Sequence, residues 1–254
     1  MKRLIYQVAI DMPEHFELCI DSVRSYARRC QADHIVQRAP ELHIRPTGPG
    51  RSAQALSRGY LPIFEKENAL RLLDVYDEIL ILDADVYVRD GAPVIFDSVA
   101  TLAFDFAGVP ERDIPATTSH QDKVRKYSKG QYDRLPDVDW RWDDRGAHFY
   151  NMGVMLLRKG IRDHLNGQTP LEFIRRPEFE RFVNGEGHWK WSTDQTLLNW
   201  WVKSSGMLLC DLDWRYNALY SACPRVPESW FVHFFLSSKM AQGGREIPEI
   251  IERL

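Results

Sequence analysis

Two carboxylates one residue apart, Asp83 and Asp85, follow the apolar run Ile79–Leu82 in the stretch DEILILDADVYVRDG. In extended chain both side chains point to the same side, roughly 6.5 Å apart. At an effective dielectric near 20 their charges repel by roughly 2–3 kcal/mol. The pair is unfavourable unless a cation is shared, and a divalent metal with oxygen ligands serves. The same pattern recurs as Asp137-Val138-Asp139 and Asp211-Leu212-Asp213, so context must choose. Asp137 lies in a polar stretch with no strand before it, and Asp213 stands beside Arg215, a candidate ion pair. Only Asp83 ends a run that reads as a central strand, and open α/β sheets bind ligands at the carboxyl ends of such strands.

Other polar residues have ordinary readings when taken singly. His233, between Val232 and Phe234, reads as a core histidine at a strand end. Lys239 reads as a solvated cation. Asn151 and Gly153 form a small polar break before the apolar run Val154–Leu157. Asp194 and Gln195 open a helix over Thr193–Lys203, where an aspartate suits the helix dipole, and Asn217 reads as a turn residue. Eight tryptophans, Trp140, Trp142, Trp189, Trp191 and Trp214 among them, suit core packing more than sugar stacking. Trp189 and Trp191, close to Asp194, are the pair best placed for a sugar face.

The elements that would position these residues alternate in type. Leu4–Ile10 predicts a strand, Glu14–Ala32 a helix with Phe16, Ile20, Val23 and Ala27 on one face, and His34–Gln37 a second strand. This β-α-β opening suits an α/β sheet. Ala53–Tyr76 reads as helical with a break at Pro62, and Ala103–Val109 as a strand. Residues 110–146 are polar and turn-rich without sustained periodicity, which predicts a mobile lid or binding loop. Order resumes at Phe149, with helices near Pro170–Phe182 and Thr193–Lys203 and strands near Met207–Cys210 and Phe231–Phe235.

The chain of 254 residues, 44% apolar, can bury roughly 70–75% of its unfolded surface in one core. A net charge of −3 offers no basic field for nucleic acid. The four cysteines show no C-x-x-C spacing and read as free thiols in a reducing, cytoplasmic compartment. No stretch approaches the ~20 apolar residues of a membrane span, which leaves peripheral membrane association open.

Five stretches resemble, in order, those of nucleotide-sugar glycosyltransferases of the GT-A fold, most like glycosyltransferase family 8, which contains glycogenin and bacterial lipopolysaccharide galactosyl- and glucosyltransferases. They are LLDVYDEILILDADVYV (Leu72–Val88), FYNMGVMLL (Phe149–Leu157), STDQTLLN (Ser192–Asn199), LDWRYNAL (Leu212–Leu219) and VHFFLSSK (Val232–Lys239). His233 and Lys239 keep the family's spacing. The resemblance implies a single domain over residues 1–254, with a Rossmann-like, mixed but mainly parallel sheet flanked by helices. It implies metal-dependent transfer of a hexose, from UDP-Gal or UDP-Glc, to a glycan or other hydroxyl acceptor with retention of configuration.

The resemblance also implies roles. Asp83, Asp85 and His233 would bind Mn²⁺ or Mg²⁺, the mixed carboxylate and imidazole set favouring Mn²⁺, and Lys239 would meet the leaving diphosphate. Asn151, Gly153 and Asn217 would line the sugar pocket, Asp194 would hold the donor sugar hydroxyls and Gln195 would lie beneath the anomeric carbon. Asp11 stands where the family's first strand ends in an Asp that grips uracil with a nearby Asn-Tyr, but Met-Pro-Glu-His follows it here. Lys66 replaces an Arg, keeping the charge and losing the planar fork. Leu236 and Met240-Ala241 replace the family's Gly and Pro-Trp.

Three other readings compete. A haloacid-dehalogenase phosphatase also uses Asp-x-Asp, but near its amino terminus and with Thr or Val where this chain has Tyr87. A sugar-phosphate nucleotidyltransferase needs a Gly-rich basic loop after strand one, and none follows Ile10. A sugar-nucleotide-binding protein without turnover has the same fold-level pattern.

Overall fold

The computed structural model describes residues 1–46, 50–189 and 193–254. Among them, strands β1 (Arg3–Val8), β2 (Asp33–Gln37), β3 (Glu78–Asp83), β4 (Val86–Val88), β5 (Phe106–Pro110), β6 (Tyr150–Arg158), β7 (Leu209–Asp211), β8 (Ala218–Leu219) and β9 (Phe231–His233) form two sheets. The larger has the order β2-β1-β3-β6-β5-β7 and the smaller β4-β9-β8. In the larger sheet β6 runs antiparallel to both of its neighbours, and the β2-β1, β1-β3 and β5-β7 pairings are parallel. The sheet is thus mixed and mostly parallel, with helices on both faces.

The apolar run inside β3 is buried on both faces. Ile79 and Ile81 join one apolar layer with Phe64, Leu73 and Trp201, while Leu80 and Leu82 join the opposite layer with Val23, Tyr26 and Phe96. The opening helix spans Glu17–Arg29, after a 3₁₀ turn at Glu14–Phe16, and buries Ile20, Val23 and Ala27 as its period requires. Between Ala53 and Tyr76 the chain breaks into a helix, Ala53–Arg58, and 3₁₀ segments at Pro62–Phe64 and Lys66–Asp74.

Two expectations change. Asp85 does not continue the strand of Asp83: β3 ends at Asp83, Ala84 and Asp85 make a turn, and Val86 opens β4 in the other sheet. The two aspartates therefore stand at a corner between sheets. Residues 110–146 are not loop throughout, because Thr118–Tyr132 is a 15-residue helix. Its buried positions are Val124, Ser128, Gln131 and Tyr132. The spacing is helical, but two of the four side chains are polar, so no hydrophobic period shows in the sequence. After it, Leu135, Val138 and Trp140 are buried in the main core.

Candidate functional site

The corner turn brings a third ligand to the aspartates. In the register of β4 against β9, Val86 lies opposite His233, and the N–H of Phe234 donates to the Asp85 carbonyl at 3.0 Å. His233 Nε2 then sits 3.2 Å from Asp85 Oδ1 and 3.8 Å from Asp83 Oδ2. One ligand atom from each of the three residues lies within 4.8 Å of the others. Ligands at metal–oxygen and metal–nitrogen distances of roughly 2.0–2.2 Å are separated by up to about twice that, and the 3.2 and 3.8 Å separations from His233 Nε2 fall within this limit.

The far side of the imidazole is fixed too. His233 Nδ1 is 2.9 Å from Asn217 Oδ1, an acceptor for an Nδ1 proton, so Nε2 is the nitrogen that faces the carboxylates. Without an ion, burial pushes Asp83 above the ordinary carboxylate range although Lys66 opposes it. Burial also works upward on Asp85, but the His233 charge and hydrogen bond outweigh it and its carboxyl is lowered. His233 itself is raised: burial disfavours its charge, and Asp85 and Asp83 more than compensate.

Beside this triangle the main sheet frees backbone groups. Gly108 pairs with Met155 and Val109 with Asn151, so β6 carries a bulge through Met152, Gly153 and Val154. Pairing with β3 stops at Val154. The groups released by the ladder are taken up by side chains: Lys66 Nζ donates to the Met152 carbonyl at 3.1 Å, the Met152 N–H donates to Gln195 Oε1 at 3.3 Å and the Gly153 N–H donates to Asn151 Oδ1 at 3.0 Å. Gly153 has a second reason to be glycine, because a Cβ there would lie 2.4 Å from His233 Cε1.

Lys66 is buried between two carboxylates, 2.8 Å from Asp83 Oδ1 and 2.7 Å from Asp194 Oδ2. Burial disfavours its charge, but Asp194 and Asp83 hold its proton above the usual lysine range. Next to it Glu67 is buried with no hydrogen-bond partner on either oxygen among the described residues. Burial and the neighbouring Asp194 push that carboxyl well above its ordinary range. Asp194 and Gln195 are placed by the cap of the Asp194–Ser204 helix, where Thr193 Oγ1 accepts from the Gln195 N–H.

A hydrogen-bonded chain joins these parts. Asn217 Nδ2 donates to Asn151 Oδ1 at 2.9 Å, Asn151 Nδ2 donates to Glu111 Oε2 at 3.0 Å and Gln195 Nε2 approaches the same oxygen at 3.5 Å. Burial raises the Glu111 carboxyl, and its bond to Asn151 partly opposes the rise. Sequence reasoning missed Glu111. Its only signal is its position just past a buried strand, an acid directly after Pro110.

Two cavities meet at this chain. A cleft of about 300 Å³ is lined by Val8, Ile10, Asp83, Gly153, Asp194 and His233 among others. A pocket of about 690 Å³ shares Asn151, Thr193, Gln195 and Phe235 with it. The structure thus brings together Lys66, Asp83, Asp85, Asn151, Gly153, Asp194, Gln195, Asn217 and His233. Asp11 is not brought to the cleft: it is exposed, at φ 52°, and faces Arg58 at 3.8 Å. Lys239 lines the larger pocket rather than the aspartate cleft. Trp140 is buried against Tyr132, Trp189 packs on Phe182 and donates to the Gln131 carbonyl, and the aromatic side chains in the pocket are Tyr127 and Phe235. Trp191 and Ser192 lie outside the described residues. Asp213 pairs with Arg215 at 2.7 Å, and Asp139 accepts from the Arg141 N–H in a local turn.

No family model matches the chain, and no curated protein matches it. Solved structures do. A glycosyltransferase involved in glycosylation of the PBCV-1 major capsid is 14% identical, with each chain fully covered and a TM-score of 0.50. Mouse xyloside xylosyltransferase 1 is 13% identical over 94% of this chain and all of its own, with a TM-score of 0.53. The chain has the GT-A fold. The galactosyltransferase LgtC, solved with donor and acceptor sugar analogues, shares this GT-A architecture at 15% identity, over 99% of this chain and 96% of its own, with a TM-score of 0.51. In this GT-A chain the aspartate corner stands at the carboxyl end of β3.

Proposed function

We propose that this chain is a metal-dependent glycosyltransferase that moves a hexose, from UDP-Gal or UDP-Glc, to a hydroxyl of a glycan or similar acceptor. The observation that carries the reading is the Asp83–Asp85–His233 triangle at the corner between the two sheets, with Lys66 and Asp194 beside it. Asp83, Asp85 and His233 would hold Mn²⁺ or Mg²⁺. When bound, the ion supplies positive charge to the diphosphate as the anomeric bond stretches.

The chain's own residues supply the rest. Lys66 holds Asp194 in place, so its carboxylate meets donor sugar hydroxyls as a fixed acceptor. Gln195, anchored at both ends of its amide by the Met152 N–H and Glu111, lies beneath the anomeric carbon and cannot take a proton from the acceptor. Lys239, exposed and without an acidic partner among the described residues, is the cation available to the leaving diphosphate. This arrangement favours retention, with the departing phosphate accepting the acceptor's proton.

Transfer with inversion has one observation in its favour. Glu111 is a buried carboxylate where the two cavities join, and burial raises its affinity for a proton as a general base requires. The deciding assay is incubation with UDP-Gal and UDP-Glc, with and without Mn²⁺ and without acceptor. Mn²⁺-dependent release of hexose and UDP supports a transferase. Binding without release would leave a sugar-nucleotide-binding protein, and sugar 1-phosphate together with UTP on addition of pyrophosphate would indicate a nucleotidyltransferase.

A further inference from the structure

The larger pocket has two chemically different walls. One is apolar, with Phe235, Leu236 and Met240. The other is the Thr118–Tyr132 helix and its cap, which bring Thr117, Ser119, Lys123 and, one turn further on, Tyr127 to the cavity. The single acid in the lining is Glu111, at the junction with the cleft, where Asn151 and Gln195 already hold its Oε2. Lys123 is exposed and, like Lys239, has no acidic partner among the described residues. With Lys239 on the diphosphate of a bound donor, Lys123 remains as an unneutralised cation beside hydroxyl donors. The chain as a whole carries −3, so this wall runs against the background charge. A local positive charge lined by hydroxyls, in a cavity that also holds the aromatic rings of Tyr127 and Phe235, matches a sugar ring with one anionic group.

We propose that this pocket takes the acceptor, and that the acceptor is a sugar bearing a carboxylate or phosphate, its ring against Tyr127 and Phe235 and its charge against Lys123. The proposal rests on the transferase reading above. The test is calorimetric titration of the whole chain with methyl glucoside, methyl glucuronide and glucose 6-phosphate, each with and without UDP and Mn²⁺. At least one anionic probe should bind tenfold or more tightly than methyl glucoside, and the stronger of the two tells carboxylate from phosphate. Lys123→Gln should erase that preference and Lys123→Glu should reverse it. Equal binding of all three probes, no binding of either anionic probe, or a preference that survives Lys123→Gln would each overturn the proposal. Loss of UDP–Mn²⁺ binding in the same cell would instead sink the transferase reading, and the arms without nucleotide still decide the pocket.

Discussion

Asn217 lines neither of the two cavities, yet its bond to Nδ1 decides which nitrogen of His233 faces the aspartates. Asn217→Ala should lower Mn²⁺ affinity about 10- to 100-fold, the usual cost of removing the partner that orients a ligating histidine. Asp85→Asn should cost more, with far-ultraviolet circular dichroism unchanged, while Asp139→Asn should leave Mn²⁺-dependent UDP binding alone because Asp139 only closes a local turn. Isothermal titration with Mn²⁺ and UDP measures all three. Glu111 separates the two stereochemical readings: Gln at this position can still accept from Asn151 and Gln195, so Glu111→Gln should slow a retaining transfer less than about tenfold. A general-base role would make the same change cost about 10²–10⁴-fold in kcat. The residues gathered at the corner, the Asp83–Asp85–His233 triangle with Lys66, Asn151, Gly153, Asp194, Gln195 and Asn217, could be named from the sequence because all but Lys66 lie in short motifs that keep a recognisable order. Glu111 was not, because nothing near it marks an acid whose hydrogen-bond partners lie 40 and 84 residues away.

At the scale of elements, strands and helices with a clean apolar period were legible and the others were not. The run Ile79–Leu82 predicted its own two-sided burial, whereas β4 and β8, of three and two residues, are too short to show any period. The Thr118–Tyr132 helix was hidden by Ser128 and Gln131 on its buried face. Since its first turns line the larger pocket, residues 110–146 should gain hydrogen-exchange protection when UDP and Mn²⁺ bind. Equal exchange in both states would make the segment a static wall. Another helix, Asp194–Ser204, carries a pH response near its end. Burial, helped by Arg141 and Arg112, pulls the Lys203 ammonium down to about 8. The folded chain therefore gives up this proton before the unfolded chain does. Between about pH 8 and the ordinary lysine range the unfolded state holds more protons, so this group's contribution makes stability rise with pH. Urea midpoints from pH 7 to pH 10 should rise less steeply in Lys203→Met than in the parent, and parallel curves would refute the burial argument.

For the whole molecule the expected outcome is stereochemical. Proton NMR of the first product formed from an α-linked donor should show an α-linkage, because Asp194 is tied to Lys66 and Gln195 has no basic atom. A β-linkage would transfer the leading role to Glu111. The two-sheet construction was not legible in advance. Extended geometry placed Asp83 and Asp85 on one straight strand, and the handover from β3 to β4 depends on pairing with β9, far downstream. That distance also bears on how the protein is made. A ribosome releases the six strands of the main sheet before β9 emerges, so until then β4 rests on the opening helix with its β9-facing edge unpaired. A chain cut short after β8 would keep its main core but present that sticky edge, with two acids and no imidazole to join them.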